Sequence, residues 1–593
     1  MSLVRDGIPA SPGIVIGPAS VLRWEVPKAP HAAIPPDLVE REVERFQQAR
    51  EWTRARIREI QKQTAERLGP VEAKIFDPQL LMLDDVDLIG GTIAYIRENH
   101  FSAARAFELR MLEFQSEWQR TGHPMVMDRL ADLADVELWI LHHLLGLPEP
   151  DFLTRGFDHP VILVARELTP TFTVQLDRTN VLGIATDAGT RTSHFAILAR
   201  SMNIPTVVGL GDLSEHVTTG TEMILDARAG RVIAEPTERE KQLYRGRDIK
   251  VREWEQELVL LAHLEAVTPD RQPVLVRANI DLPAEAETAR AHGAQGIGLF
   301  RTEFLVVGRH EPPGEEEQYQ AYRQVAEAFP HHAVFIRTFD LGGDKFPLFL
   351  PMPREENPFL GWRAIRVCLD LPDLFRTQLR ALLRATAHGD IRIMLPLVNE
   401  IDEIRRTREL VEQEARRLEE AGIPYNPAYK LGIMIETPAA ALTAPELARY
   451  TDFFSVGTND LVQYTLAVDR GNARLARLFN PFHPAVLHLL RATADAGRAA
   501  GIEVSVCGEL AANPLGAYLL LGLGITALSV NPPALPEIKK VIRSIPASDA
   551  RAAVAEALQK PTAADVIQVL TTGISRWLDL SLFSGRWNLS PAH

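Results

Sequence analysis

The runs PVLVRAN (residues 273–279) and GIGLFRTE (296–303) begin the pattern that decides the fold of this chain. Helical stretches separate them from six further short apolar runs: AVFIRTFD (333–340), IRIMLP (391–396), LGIMIE (431–436), FFSVGTND (453–460), VSVCGE (504–509) and ITALSVNP (525–532). Eight β–α repeats over roughly 300 residues predict a (β/α)₈ TIM barrel. We place this barrel at residues 267–593.

Polar side chains concentrate where the predicted barrel strands end. They are Asn279, Arg301 with Glu303, Arg337 with Asp340, Glu436, Asn459 with Asp460, and Cys507 with Glu509. Because barrel enzymes build their active sites at the carboxyl ends of the strands, six such ends predict one shared site. Taken singly, each of these groups could equally be an ion pair or a solvated strand end.

The charged residues of this predicted site suit a small polyanion. Arg301, Arg337 and Arg470 carry planar guanidinium groups that match phosphate and carboxylate. Glu436 and Asp460 are hard oxygen ligands, which favour Mg²⁺ over zinc. Cys507 has two interpretations, because a free cysteine commonly packs as a small apolar residue and can also donate a proton.

The first part of the chain predicts an α/β domain interrupted by helices. The strand-like run GIVIGPASVL (13–22) precedes long segments of helical period, and strands return near Pro160. We therefore predict an α/β domain at 1–22 and 149–235, with a helical-bundle insertion at 23–148. A charged helix at 236–266 is predicted to link this part to the barrel.

The stretch DAGTRTSHFAILAR (187–200) carries the candidate nucleophile of the α/β domain. Small and hydroxyl residues precede the apolar positions Phe195, Leu198 and Ala199, which predicts that a helix begins near His194. Unpaired amide groups at a helix start stabilise an anion, so a phosphoryl group on the imidazole would be favoured there. The alternative is a histidine that only caps or packs the helix.

Composition narrows the class of protein. The net charge of −14 argues against general nucleic-acid binding, and the two cysteines form no disulfide framework. Neither a secretion signal nor a membrane-spanning run is evident, which predicts a soluble, cytoplasmic protein without membrane insertion.

Six motifs, taken in order, resemble one family closely. They are GTRTSHFAILARS, GIGLFRTEFL, FDLGGDK, ENPFLGWRAIR, GTNDLVQYTLAVDR and CGELA, and the chain is similar over nearly its whole length to Enzyme I of the bacterial sugar phosphotransferase system. The resemblance implies a swivelling phosphohistidine domain that transfers phosphate from phosphoenolpyruvate to its own histidine, and then to the carrier protein HPr, releasing pyruvate. It also implies that HPr docks on the helical insertion and that the protein is a homodimer through the barrel.

The resemblance assigns roles residue by residue. It implies that His194 is phosphorylated and that Cys507 protonates the enolate of pyruvate. The remaining assignments are phosphoenolpyruvate binding by Arg301, Arg337, Asn459 and Arg470, Mg²⁺ binding by Glu436 and Asp460, and places near the pocket for Lys345 and Arg363. Thr190 departs from the family, which usually has glycine there, and this predicts a stiffer loop.

Three alternatives remain at this stage. A phosphoenolpyruvate synthase or pyruvate phosphate dikinase has similar histidine and barrel domains, but it needs a nucleotide-binding domain, and no GxxxxGK loop precedes His194. A nitrogen-regulatory paralogue would share the same chemistry. A non-catalytic scaffold would have lost charged groups at the strand ends, whereas they are all present.

Overall fold

The computed structural model describes residues 2–583 except 32, 122–129, 149–156, 177–178, 192, 344, 346, 351–354 and 473. The chain forms two compact units, Met1–Arg252 and Glu253–Phe583. Among the described residues, no helix combines the length and the apolar character that crossing a bilayer requires.

The first unit contains an eight-stranded mixed sheet in the order β1-β8-β7-β3-β4-β5-β6-β2. The strands are β1 (Leu3–Asp6), β2 (Ile8–Ser11), β3 (Ile14–Leu22), β4 (Val161–Ala165), β5 (Val181–Thr186), β6 (Thr206–Val208), β7 (Glu222–Asp226) and β8 (Arg231–Ala234). Strand β3 pairs in parallel with β4, where Ala19 faces Ile162, and antiparallel with β7. The opening strand therefore lies in the sheet of the α/β domain, as the sequence predicts.

A helical bundle fills the interval between β3 and β4. Its helices are α1 (Val39–Leu68), α2 (Pro70–Ala73), α3 (Asp77–Met82), α4 (Val86–Asn99), α5 (Ala103–Thr121) and α6 (Leu130–Leu145). The period read from the sequence of α1 is confirmed at Val43, Phe46 and Ile57, which are buried in the bundle core. The insertion therefore has its own apolar core.

Three further helices lie in the first unit, and a fourth crosses its boundary with the second unit. They are α7 (Pro170–Gln175), α8 (His194–Ser201), α9 (Leu213–His216) and α10 (Glu238–Leu261). The boundary between the two units falls within α10. The four domain boundaries given from the sequence remain predictions.

The second unit is a closed barrel of eight parallel strands, which confirms the predicted fold class. The strands are β9 (Leu275–Ile280), β10 (Ile297–Phe300), β11 (Val334–Arg337), β12 (Ile391–Leu395), β13 (Lys430–Ile435), β14 (Phe453–Val456), β15 (Glu503–Val506) and β16 (Ala527–Val530). Each strand coincides with one of the eight apolar runs. Strand β16 pairs with β9 and closes the barrel.

Helices surround the barrel and continue beyond its last strand. They are α11 (Glu285–Ala291), α12 (Glu315–Ala328), α13 (Ile365–Asp370), α14 (Pro372–Ala385), α15 (Ile401–Glu420), α16 (Pro438–Leu442), α17 (Ala444–Leu447), α18 (Thr458–Leu466), α19 (Pro484–Ala500), α20 (Glu509–Ala512), α21 (Pro514–Gly522), α22 (Leu535–Ser544), α23 (Ala547–Ala557) and α24 (Ala563–Ile574). Their buried faces and the outward strand residues form one continuous core, so the strand ends are held on a rigid frame.

Candidate functional site

His194 is the first residue of helix α8, as the sequence predicts. Ser193 precedes the helix, and its hydroxyl accepts a hydrogen bond from the Thr190 amide at 2.7 Å rather than capping α8. No side chain caps the first turn of α8 among the described residues. The amides of this turn therefore remain available to an anion next to the imidazole.

The loop before His194 turns at Gly189, which has a φ of 111°. A Cβ atom at this position would lie 3.0 Å from the ring of Phe195, so both the backbone and the space favour glycine. Thr190 is not among the described residues with positive φ. The threonine that departs from the family therefore occupies a backbone conformation that ordinary residues adopt.

An aspartate from the helical insertion orients the imidazole. The Nδ1 atom of His194 lies 2.9 Å and 3.0 Å from the two carboxylate oxygens of Asp132, whose side chain is fully buried. About a quarter of the His194 side chain remains exposed. With Nδ1 held by Asp132, Nε2 is the ring nitrogen left for reaction with a substrate.

In the barrel, Asp340 is the centre of a buried charge cluster that lies beyond the carboxyl end of β11. Its carboxylate accepts hydrogen bonds from Arg363 Nε at 2.9 Å and Lys345 Nζ at 3.0 Å, and Arg337 Nη1 lies 3.3 Å away. Burial opposes ionisation, but the three cations outweigh it and hold the pKa of Asp340 well below its usual range. Arg337 also donates to Glu303 at 2.5 Å.

Arg363 extends this cluster to helix α18. Its Nη2 donates to Asp460 at 2.7 Å, and its Nη1 donates to the Tyr464 hydroxyl at 2.9 Å. Tyr464 in turn donates to the Phe359 carbonyl at 2.5 Å. The loop that carries Arg363 is thereby tied to the helix that carries Asp460.

Glu436 and Asp460 form the candidate metal pair. Both side chains are nearly fully buried, and burial together with the charge of Asp460 raises the pKa of Glu436 to about 7. The Oδ1 atom of Asp460 is buried and accepts no hydrogen bond from the described residues, although the Arg470 guanidinium lies 3.4 Å away as an ion-pair partner. A divalent cation would occupy the unused lone pairs of this oxygen and neutralise the two carboxylates, so the donor set fits Mg²⁺.

The protein supplies only part of such a coordination shell. Among the described residues, no group of three or more His, Cys, Asp or Glu side chains is arranged to hold a metal. Mg²⁺ commonly takes one or two carboxylates and completes its shell with water and substrate phosphate. Two carboxylates are therefore compatible with this ion and unlike a closed zinc site.

Three predicted substrate ligands lie at the edge of the cluster. Arg301 follows β10 and donates to Asp281 at 2.6 Å, and Arg470 Nη1 lies 3.4 Å from Asp460 Oδ1. Asn459, in the first turn of α18, exchanges hydrogen bonds with Glu509. Arg301 and Arg470 each keep about a third of the side chain exposed, which leaves them accessible to a ligand.

Cys507 follows β15 and faces the barrel interior. Its Sγ lies 3.4 Å from the Ser455 hydroxyl and packs with Met434. Burial raises the pKa of the Cys507 thiol above its usual value, although the hydrogen bond from Ser455 and the charge of Arg301 oppose this. The thiol therefore keeps its proton at neutral pH.

The structure brings most of the predicted barrel residues together and adds others. Arg337, Lys345, Arg363, Asp460 and Arg470 belong to one network of ion pairs. The sequence reasoning did not assign roles to four partners of the predicted site residues: Asp132, Asp281, Asp340 and Tyr464. Asp340 and Tyr464 lie within recognised motifs, whereas Asp132 carries no local signal because it lies 62 positions from His194.

Comparisons with known proteins agree with this architecture. The model of the PEP-utilising enzyme, N-terminal domain matches residues 6–129, and the mobile-domain model matches residues 157–230. The model of the PEP-binding domain of these enzymes matches residues 255–547. The three matches follow the order of the helical insertion, the α/β domain and the barrel.

Several relatives that match over nearly their full length share one name. The phosphoenolpyruvate-protein phosphotransferase of Haemophilus influenzae is 40% identical over 95% of this chain and 98% of its own length. The proteins of that name from Listeria monocytogenes (38% identical, 96% of this chain and 99% of that protein) and Geobacillus stearothermophilus (39%, 91% and 93%) are similarly related. The chain therefore belongs to the phosphoenolpyruvate-protein phosphotransferase family.

Proposed function

We propose that this protein transfers the phosphoryl group of phosphoenolpyruvate to His194 and then to a histidine of the carrier protein HPr. The observation that carries the proposal is the buried cluster of arginines and carboxylates at the carboxyl ends of the barrel strands. A second support is a histidine at an uncapped helix start in the other unit. Full-length similarity to proteins of this activity agrees with both.

His194 acts as the nucleophile through Nε2. Asp132 accepts a hydrogen bond from Nδ1–H, which holds the proton on Nδ1, leaves a lone pair on Nε2 and stabilises the positive charge that develops on the ring. Nε2 forms a bond to phosphorus while the bond between phosphorus and the enol oxygen breaks. The electron pair of that bond leaves with the enolate.

The barrel residues bind and orient phosphoenolpyruvate. Arg301, Arg337 and Arg470 supply guanidinium groups for its phosphate and carboxylate, and Asn459 supplies an amide donor. Asp340 fixes Arg337, Lys345 and Arg363 in place, so the positive charge is preorganised before substrate arrives. Mg²⁺, held by Glu436 and Asp460, would when bound neutralise charge on the substrate phosphate.

Cys507 completes the reaction by giving a proton to the enolate. The thiol is protonated at neutral pH, which is the state required of a donor. Transfer of this proton to the methylene carbon of the enolate forms pyruvate. The thiolate then recovers a proton from water.

The helical insertion is the proposed docking site for HPr. Residues 36–147 contain 20 acidic and 14 basic residues, a balance that favours a basic partner. The same family relationship supports a homodimer through the barrel and a cytoplasmic location.

The experiment is incubation of the full chain with ³²P-labelled phosphoenolpyruvate and Mg²⁺, without nucleotide. We expect an acid-labile phosphate on His194, located by mass spectrometry, and we expect none in His194→Ala or after EDTA treatment. His216→Ala is the matched control, since His216 is an exposed histidine of the same domain. Label on a serine, or label retained by His194→Ala, would overturn the proposal.

A further inference from the structure

A second polar cleft lies at the opposite end of the barrel from the candidate site. It has a volume of about 400 Å³ and is lined by the residues that precede β9 and β16 together with parts of α19, α21 and α23. Gln272 and Thr526 mark the amino ends of the two strands. The proposed phosphoenolpyruvate ligands lie at or beyond the carboxyl ends of the strands, so this cleft is not part of that site.

Three arginines supply the charge of the cleft. Arg491 and Arg498 come from α19, Arg551 comes from α23, and no aspartate or glutamate is among the described lining residues. Asp495, beside the cleft, accepts from Arg491 Nε at 2.6 Å and from Arg498 Nη1 at 2.7 Å. One carboxylate therefore serves two of the three arginines.

Much of the donor capacity of these arginines is unused. Hydrogen bonds of Arg491 to the described residues run through Nε alone, which leaves both of its terminal nitrogens available. Arg551 is exposed and forms no ion pair or hydrogen bond with the described part of the chain. The unused nitrogens of Arg491 and the guanidinium of Arg551 are suited to bind phosphate or carboxylate in two-point contacts.

One of these arginines contacts the backbone at the cleft wall. Arg498 Nη2 donates to the Leu523 carbonyl at 3.1 Å. The next residue, Gly524, has a φ of +81°, the left-handed conformation that is common just after a helix ends. The guanidinium of Arg498 therefore lies beside the residues that follow α21.

We propose that this cleft binds a small polyanion, either a phosphate compound or a polycarboxylate, at a site separate from the one that binds phosphoenolpyruvate. Three guanidinium groups around one cleft repel one another, and an anion bound between them would relieve that repulsion. In a chain with a net charge of −14, a locally cationic cleft of this size matches an anionic ligand. The ligand would join α19 to α23.

The test is isothermal titration calorimetry of the full chain with pyrophosphate and, separately, with citrate, in buffer without Mg²⁺. We expect the wild-type protein to bind at least one of the two anions, and the stronger of them identifies the ligand class. Arg551→Gln and Arg491→Gln should each weaken that binding by about tenfold or more, since each removes a charge-assisted contact. Turnover of phosphoenolpyruvate by Arg551→Gln, measured without added anion, should equal that of the wild type.

Two control variants separate this site from other anion binding. Arg290→Gln removes an exposed arginine of the same barrel that pairs with Glu287, and it should bind the anion as the wild type does. Arg337→Gln alters the phosphoenolpyruvate site and should leave the titration at the second cleft intact. The proposal is wrong if neither anion binds at millimolar concentration, or if both cleft variants bind as tightly as the wild type.

Discussion

Replacing Glu137 by glutamine is expected to stabilise the first unit at pH 8 and to change it little at pH 5. Glu137 lies in α6, is 5% exposed, and accepts a hydrogen bond from Gln115 at 2.8 Å. Burial raises the pKa of Glu137 to about 7, the charge of Glu108 adds to the rise, and the bond from Gln115 opposes it. The folded protein therefore holds this proton more tightly than the unfolded chain does.

The size of the effect follows from the two pKa values. For an acid whose folded pKa is raised, the stabilisation is complete below the unfolded value near 4.5 and is lost as the pH rises to about 7. The full loss is about 3 kcal/mol, and about 2.5 kcal/mol of it develops between pH 5 and pH 8. Glutamine preserves the shape of the side chain without the titrating proton.

The measurement is the free energy of unfolding of the first unit, from calorimetry of the full chain at pH 5 and pH 8. Asp135, whose pKa burial also raises to about 7, remains in the variant, so the pH dependence should decrease but not disappear. Glu98→Gln is the control, because Glu98 is an exposed glutamate of the same bundle. Equal pH dependence in Glu137→Gln and the wild type would refute the reasoning.

Three further predictions concern the barrel and its relation to His194. Cys507→Ser should bind phosphoenolpyruvate within about twofold of the wild type but form pyruvate at least about a hundredfold more slowly, because a hydroxyl is a weaker acid than a thiol. A binding titration and a coupled pyruvate assay measure these two effects. Turnover at the wild-type rate would mean that Cys507 only packs in the barrel. Asp340→Ala should lower the stability of the barrel by about 3–5 kcal/mol, since the buried Arg337 and Arg363 and the partly exposed Lys345 lose their common partner. An unchanged calorimetric transition would contradict this. Single-molecule energy transfer between dyes on the helical insertion and the barrel should show at least two distances, because His194 must meet both the substrate and HPr. The populations of these distances should change when phosphoenolpyruvate and Mg²⁺ are added. One unchanging distance in an active sample would exclude a movement of His194 between the two partners.

The barrel was predictable because its strands carry a local signal. Each one is a short apolar run, and residues such as Arg301, Arg337, Glu436 and Cys507 follow directly where the run ends. The parallel arrangement then brings these ends together without further information. The helix start at His194 was predictable for the same reason, since small and hydroxyl residues precede an apolar face.

The partners within the site could not be predicted from local patterns. Asp340 could have paired with any nearby cation, and only the fold shows that it serves Arg337, Lys345 and Arg363 at once. The contact of Asp132 with His194 joins the helical insertion to the α/β domain, so it depends on how the bundle packs against the sheet domain. Side-chain pairing of this kind is a property of tertiary structure, which spacing along the chain does not encode.

The pairing of the first strands imposes an order on synthesis. Leu3 pairs with Ala234, and strand β3 gains its parallel partner only after Ile162 has been made. At about 5–20 residues per second, a ribosome needs roughly 10–50 s to deliver the far partner of β1. During that interval the helices of the insertion can complete their local contacts, while β1 remains without the strand that it pairs with. Within the first unit, β1 is therefore among the first segments made and among the last to be paired, and a holding chaperone would meet an unpaired strand during that delay.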